Sequence, residues 1–232
     1  MSIVERFAVS GVIFDAVPRY NIAPTQPVSA ILAEANTGER FLDLLRWGLV
    51  PFWAKDIAIG SKMINARAET VAEKPSFRTP FKRRRCLIPS DGFYEWDKEG
   101  GTRQPYHFRR KDGELFGFAG LWDEWTAPDG SPLRTCTILT TTANPVVAPY
   151  HDRMPVILTS PDIESLWLDP SITEPDALES LLVPYPPEWM EAIPVSKRVN
   201  SPVNEDSDLV TDIRNSLCTI LQRYGNEFLA HR

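Results

Sequence analysis

Short runs rich in apolar, β-branched and aromatic residues, set off by polar turn residues, recur along this chain and predict strands. Residues 28–34 and 40–47 are apolar-rich runs on either side of Asn36, Thr37 and Gly38, so the pair reads as a β-hairpin with a short polar turn. Further strands are predicted at 86–89, 92–96, 106–110, 115–122, 134–141, 154–159 and 192–196, punctuated by glycine, proline and aspartate. Helical spacing is rarer and its runs are short. Ile3, Val4 and Phe7 share one helical face behind Ser2, which is placed to cap the first turn. Short helices are predicted at 66–73 and 76–84 around Pro75, and at 162–168 and 176–182. Residues 18–27 read as extended and turn-rich, and residues 208–230 carry a longer amphipathic helical pattern.

Strands come in runs, with helices scattered between them. That order favours an α+β class with a largely antiparallel, curled, barrel-like sheet and short surrounding helices over a parallel sheet with alternating helices. No repeat and no linker interrupts the pattern, so one domain over residues 1–232 is expected, with a helical tail from about 205. The 21 prolines against 12 glycines agree, because proline ends helices and is kept out of central strands, leaving short elements joined by rigid turns.

A formal net charge of −6 opposes non-specific coating of nucleic acid, which strengthens with each phosphate neutralised. A local basic groove is still compatible with it. Lys82, Arg83, Arg84 and Arg85 form the dense basic run and read as a solvated helix face. Cys86, Cys136 and Cys218 are widely spaced without a C-x-x-C pair, the usage of buried thiols in a reducing compartment. No signal pattern opens the chain, and no stretch approaches the ~18 apolar residues of a membrane span. A soluble, cytoplasmic, monomeric protein is the expectation. His107, His151 and His231 stand apart from one another and from clustered cysteines, so no metal is expected. Glycine-rich phosphate loops are missing, so no nucleotide cofactor is expected either.

Four local constellations carry chemistry. Asn65-Ala66-Arg67 pairs an orienting amide with a guanidinium suited to phosphate, or else Asn65 caps a helix. Glu95 lies between Tyr94 and Trp96; on a strand it shares a face with Phe93, as an acid–base candidate or an exposed carboxylate. His151 and Arg153 flank Asp152 just before a strand, either a proton-handling site beside a phosphate or a turn. Cys86 follows three arginines; with Cys136 it offers a conventional thiol–histidine hydrolase using His151, or simply a buried structural thiol.

Taken in order, the segments PRYNIAPTQP (18–27), RWGLVPFWA (46–54), NARAET (65–70), FKRRRCLIPSDGFYEW (81–96), QPYHF (104–108), GFAGLW (117–122), TTTAN (140–144), HDRMPVIL (151–158) and VSKRVN (195–200) resemble the SRAP (SOS response-associated peptidase) family of abasic-site processing proteins. The resemblance implies the SRAP-type fold and a partner, single-stranded DNA carrying an abasic site. It also implies a mechanism in which an N-terminal cysteine traps the sugar aldehyde: its amine forms an imine and its thiol closes a thiazolidine ring. The family's self-cleavage uses the same N-terminus. By the same resemblance, Asn65 orients the amine, Glu95 shuttles protons, and His151 assists sugar-ring opening and reversal of the link. Arg67 and Arg153 hold flanking phosphates, and Trp96, with Trp53 and Trp47 as weaker candidates, stacks on a base.

One departure stands out. The family begins M-C-G-R, whereas this chain begins Met1-Ser2-Ile3-Val4-Glu5-Arg6-Phe7 and has no cysteine before Cys86. The segment SIVERFAV resembles the helix that follows the family's first strand, so the nucleophile strand is expected to be missing rather than mutated. Two further readings stand beside that one: a module that binds DNA without cross-linking it, and Ser2 serving as an N-terminal amine.

Overall fold

The computed structural model describes residues 1–12, 14, 17–97 and 103–214. Its elements are α1 (Ile3–Arg6), β1 (Gly11–Val12), β2 (Pro27–Ala33), β3 (Arg40–Trp47), β4 (Asn65–Arg67), α2 (Arg78–Arg83), β5 (Arg85–Ser90), β6 (Phe93–Trp96), β7 (Pro105–Arg110), β8 (Phe116–Thr126), β9 (Pro132–Thr142), β10 (Arg153–Pro155), β11 (Ile157–Leu158), α3 (Pro161–Leu168), α4 (Pro175–Glu179) and β12 (Met190–Pro194). Short 3-10 turns follow β4 and β12. The sequence-predicted tail at 208–230 lies outside the described residues beyond Arg214, as do Cys218 and His231.

β3, β2, β5, β8 and β9 pair in that order, and β9 returns to β3 at Arg46↔Thr135 and Trp47↔Cys136, closing a five-stranded barrel. The β2–β3, β2–β5, β5–β8 and β8–β9 ladders are antiparallel, while the closing pair is parallel. Period two then sorts the core. Ala30 and Leu32 on β2, Cys86 and Ile88 on β5, Phe118 on β8, and Cys136 and Ile138 on β9 fill the barrel. The alternate positions Ile31, Leu42, Leu87, Ala119, Leu121 and Leu139 form an outer core with Phe81 of α2 and Trp167 of α3. Gly120 sits on an inward position of β8, where a Cβ would stand 2.8 Å from Cys86 Sγ, so the barrel closes tightly only around glycine.

Trp167 seals the outer layer. It is fully buried, packs on Phe81 with ring centroids 6.0 Å apart, and donates its Nε1–H to the Cys86 carbonyl at 3.0 Å. Truncating a buried tryptophan costs about 3–5 kcal/mol. At the chain start, Ser2 and Glu5 form a reciprocal capping box on α1. Arg6 then makes a bidentate pair with the buried Glu164 of α3, at 3.0 and 2.9 Å, and donates to the Leu115 carbonyl.

The second sheet is small and antiparallel, with β7 between β12 and β6. One face packs on the barrel mouth, where Phe93 stacks on Phe108 at 5.1 Å. Its other face carries Tyr94 and His107, and beyond them Ile193, Val195, Val199 and Leu209 form a separate small core.

Three sequence expectations need correction. Residues 66–67 are not helical: Asn65–Arg67 is a strand pairing in parallel with β9, and only one 3-10 turn, Ala68–Thr70, follows. Ala66 is buried against the outer core, and its two neighbours therefore point outward together. The expected strand at 154–159 is broken. β10 pairs with β9 and β11 with β8, and Val156 bridges them by accepting from Ala119 and donating to Leu139. The basic run is only in part a solvated face: Lys82 and Arg83 are exposed on α2, but Arg84 and Arg85 turn inward. Arg85 is buried and donates to the carbonyls of Phe81, Lys82, Trp167 and Asp169, while Arg84 pairs with buried Asp123. Burial draws the Arg85 guanidinium down to about 10, so it stays charged at neutral pH.

No helix among the described residues is long and apolar enough to cross a membrane.

Candidate functional site

A cavity of about 660 Å³ opens at the barrel mouth, between β4, β6, β10 and the segment after β12. Asn65, Arg67, Glu95, Trp96, His151 and Arg153 all line it, so six of the seven site residues expected from sequence converge. Trp53, the seventh, does not. It is exposed on the loop after β3, whose neighbours are Asp123, bonded by the Phe52 amide, and Trp125, whose indole donates to the Ala54 carbonyl. Trp47 does reach the cavity wall and is fixed there by a 2.8 Å bond from Nε1 to the Ile64 carbonyl.

Local sequence explains each placement. On β4, Asn65 and Arg67 lie on either side of buried Ala66, so both side chains emerge on one exposed edge. On β6 the expected alternation holds: Phe93 packs inward on Phe108, while Tyr94 tilts against His107 on the opposite face. Glu95 therefore takes the barrel side, half-buried at the cavity wall, and Trp96 takes the outer rim. Gly92 precedes this strand because there is no room for a side chain: a Cβ would fall 2.0 Å from His107 Nε2.

His151 is held by its own turn. The Arg153 amide donates to His151 Nδ1 at 2.9 Å, with the Arg153 carbonyl 3.1 Å from the same nitrogen; when Nδ1 accepts from the amide, a singly protonated ring carries its proton on Nε2. The Asp152 carboxylate is 3.3 Å from the same nitrogen but largely exposed, and a single Nδ1 does not accept from the amide and donate to Asp152 at once. The shorter backbone bond sets the tautomer. The two arginines of the site differ. Arg67 is exposed and forms no hydrogen bond or ion pair with the described residues. Arg153 is pinned by Glu69 at 2.6 and 2.9 Å and by the Thr140 carbonyl. Arg153 also holds the Glu69 carboxyl below the usual carboxylate range.

Several cavity residues carry no distinct signal in sequence. Asn21 is buried, and its amide donates to the carbonyls of Val199, Ser201 and Asn204, tying residues 199–204 across the cavity as a strap. Arg19 pairs with Glu205 beside it. The Tyr94 hydroxyl donates to the Tyr20 carbonyl at 2.7 Å, and burial pushes its phenol well above the ordinary range. Asn21 and Asn200 stand within segments of the family resemblance, but nothing local distinguishes their roles.

The thiol–histidine reading fails on geometry. Neither Cys86 nor Cys136 lines the cavity; both are fully buried in the barrel, and burial pushes both thiols up, away from the reactive thiolate. Ser2 is also remote. It is engaged in the α1 cap, and among the described residues none before Arg19 lines the cavity.

The cavity thus gathers a carboxylate, an imidazole, a carboxamide and two guanidiniums around a partly aromatic wall. Comparison with known proteins matches residues 2–202 to the family model described as SOS response associated peptidase (SRAP). The chain is 51% identical over 194 residues to the abasic site processing protein YoqW of Bacillus subtilis, covering 83% of this chain and 85% of that one. It is 33% identical to the abasic site processing protein HMCES of Gallus gallus, covering 84% of this chain and 66% of the relative. A crystal structure of a protein from Bordetella bronchiseptica is similar at a TM-score of 0.73 and 30% identity, covering 84% of this chain and 94% of that one.

Proposed function

The chain belongs to the SRAP family, and from that membership we propose that it recognises abasic sites in single-stranded DNA at the barrel-mouth cavity. The observation that supports this reading is the convergence of Asn65, Arg67, Glu95, His151 and Arg153 on one cavity from four separate strands and turns. An abasic site offers an aldehyde on an opened sugar between two phosphates. Arginine is suited to the phosphates, being always charged and able to bind two oxygens at once. With its proton on Nε2, His151 donates to the sugar ring oxygen as the ring opens, and the Glu95 carboxylate takes the proton of the anomeric hydroxyl as the carbonyl forms. Asn65 orients the polar atoms of the opened sugar. Trp96 at the rim stacks on a neighbouring base, a contact that tolerates any base because every base has a π-face.

A second reading concerns the covalent step. Thiazolidine closure joins an aldehyde to an amine and a thiol on adjacent atoms, with loss of water. The cavity, as lined by the described residues, holds no thiol. Binding and proton handling without a stable cross-link fit the residues at hand.

The test uses three oligonucleotides: undamaged, with a natural abasic site, and with a tetrahydrofuran analogue that has no aldehyde. Preferential binding of both lesion strands, with no heat-stable adduct on a denaturing gel, is expected. Equal binding of all three would refute lesion recognition, and a heat-stable adduct with the natural site would refute the second reading.

A further inference from the structure

Arg153 is occupied before any ligand arrives. Its Nη1 and Nη2 donate to Oε1 and Oε2 of Glu69 at 2.6 and 2.9 Å, a bidentate pair on the outer edge of the guanidinium. Nη2 also donates to the Thr140 carbonyl, and Nε is buried without a partner. A carboxylate set this way presents two oxygens in the plane of the fork, the arrangement a phosphate uses on arginine. Glu69 comes from the 3-10 turn two residues after Arg67, so the same short segment supplies a free guanidinium and the carboxylate that engages its neighbour. The Glu69 carboxylate is half-exposed and, though it does not line the cavity, it is bonded to Arg153, which does.

We propose that Glu69 is a built-in competitor for the nucleic-acid backbone: it holds the phosphate-facing edge of Arg153 in the free protein and thereby sets how strongly the site grips DNA. This rests on the reading of Arg153 as a phosphate ligand. A phosphate that takes the edge must push the carboxylate aside. One that settles for the remaining hydrogens lies beside a full negative charge. Both routes lower affinity, and neither is relieved by protonation near neutral pH, because Arg153 keeps the carboxyl below its ordinary range. Arg67 gives the first phosphate contact, and Arg153 gives the second only after exchange. Glu69 therefore discriminates against strands that bring phosphates alone, since only a strand that also fills the cavity recovers the displaced ion pair.

The experiment measures binding of a single-stranded oligonucleotide carrying the tetrahydrofuran analogue, over a range of salt, to the native chain and to Glu69→Gln, Arg153→Ala, the double variant and Arg67→Ala. Glutamine keeps the shape and one acceptor but removes the charge. Glu69→Gln is expected to bind roughly three- to tenfold tighter, the scale of removing one partly exposed like charge. Its salt dependence steepens by about 0.7 in log–log slope, the increment for one more phosphate on a single strand. Both gains vanish in the double variant. Unchanged or weaker binding by Glu69→Gln would overturn the proposal and leave Glu69 as a support for Arg153. A gain that survives in the double variant would overturn it too, since the effect would not pass through Arg153. Failure of the parent reading looks different: Arg67→Ala and Arg153→Ala each bind as tightly as the native chain. Glu69→Ser, checked for native melting, repeats the test should glutamine disturb the turn.

Discussion

The indole Nε1 of Trp96 donates a 2.7 Å hydrogen bond to Oδ1 of Asn200, joining the rim of the small sheet to the strap that crosses the cavity. Trp96 is about one-third exposed, so one ring face is open while its edge is fixed. A ring held this way stacks on a base without first losing rotamer freedom. We expect Trp96→Ala to weaken oligonucleotide binding by about 1–3 kcal/mol, the range for a lost base–aromatic stack. Asn200→Ala should lose about 1 kcal/mol, the scale of one hydrogen bond. Fluorescence anisotropy with a labelled abasic-analogue strand measures both. An Asn200→Ala protein that binds as tightly as the native chain would remove the strap from the recognition surface.

His107 makes stability depend on pH. Burial draws its pKa from 6.5 down to about 4; nearby Asp91 opposes the shift and Arg109 adds to it. Between those two values the unfolded chain binds a proton that the folded chain does not, so stability rises with pH across that window. Acidification from about pH 6.5 to pH 4 should cost about 3 kcal/mol at this residue, with no further cost from it below the folded value. His107→Leu should flatten that part of the profile. Urea unfolding at a series of pH values tests this, and an unchanged slope in the variant would assign the dependence to other groups.

Cys86 and Cys136 should resist alkylation in the native protein. Both are enclosed in the barrel, and their thiols titrate above the usual range. Iodoacetamide should leave the peptides containing them unmodified until denaturant is added, as read by mass spectrometry. Cys86→Ala should cost about 1 kcal/mol of stability through a small cavity and leave DNA binding unchanged. Loss of binding at full stability would restore a functional role for that sulfur.

Gly92→Ala is expected to disturb both stability and binding. The added methyl would lie 2.0 Å from His107 Nε2 and 2.6 Å from the Phe108 carbonyl, and the latter is fixed backbone. Overpacking of this kind costs typically about 1–3 kcal/mol. β6 would have to shift, and Glu95 and Trp96 would shift with it. A variant with native melting and native affinity would show that the strand adapts without cost to the site.

The long strands were legible because each is an apolar-rich run long enough to stand out between turn residues, as in β2, β3, β8 and β9. Asn65–Arg67 was not: three residues carry no period, and what makes them a strand is pairing with Ile138, Leu139 and Thr140, about 70 residues away. The basic run misled for a similar reason, since the partners of Arg84 and Arg85 arrive from β8 and α3. Within the site, residue types gave Asn65, Arg67, Glu95, His151 and Arg153 only in combination, through the order of motifs. The engagement of Arg153 by Glu69 and of Trp96 by Asn200 joins positions 84 and 104 apart in sequence, and local pattern holds no trace of such pairs.

The strap adds a constraint in time. Asn21 accepts its position only when the carbonyls of Val199, Ser201 and Asn204 arrive, at sequence separations of 178 to 183 residues. During synthesis, the barrel strands through β9 emerge well before those carbonyls do. The cavity wall is thus among the last parts to form, and contacts this distant form slowly. A ribosome-bound chain therefore holds most of its fold before the cavity is walled.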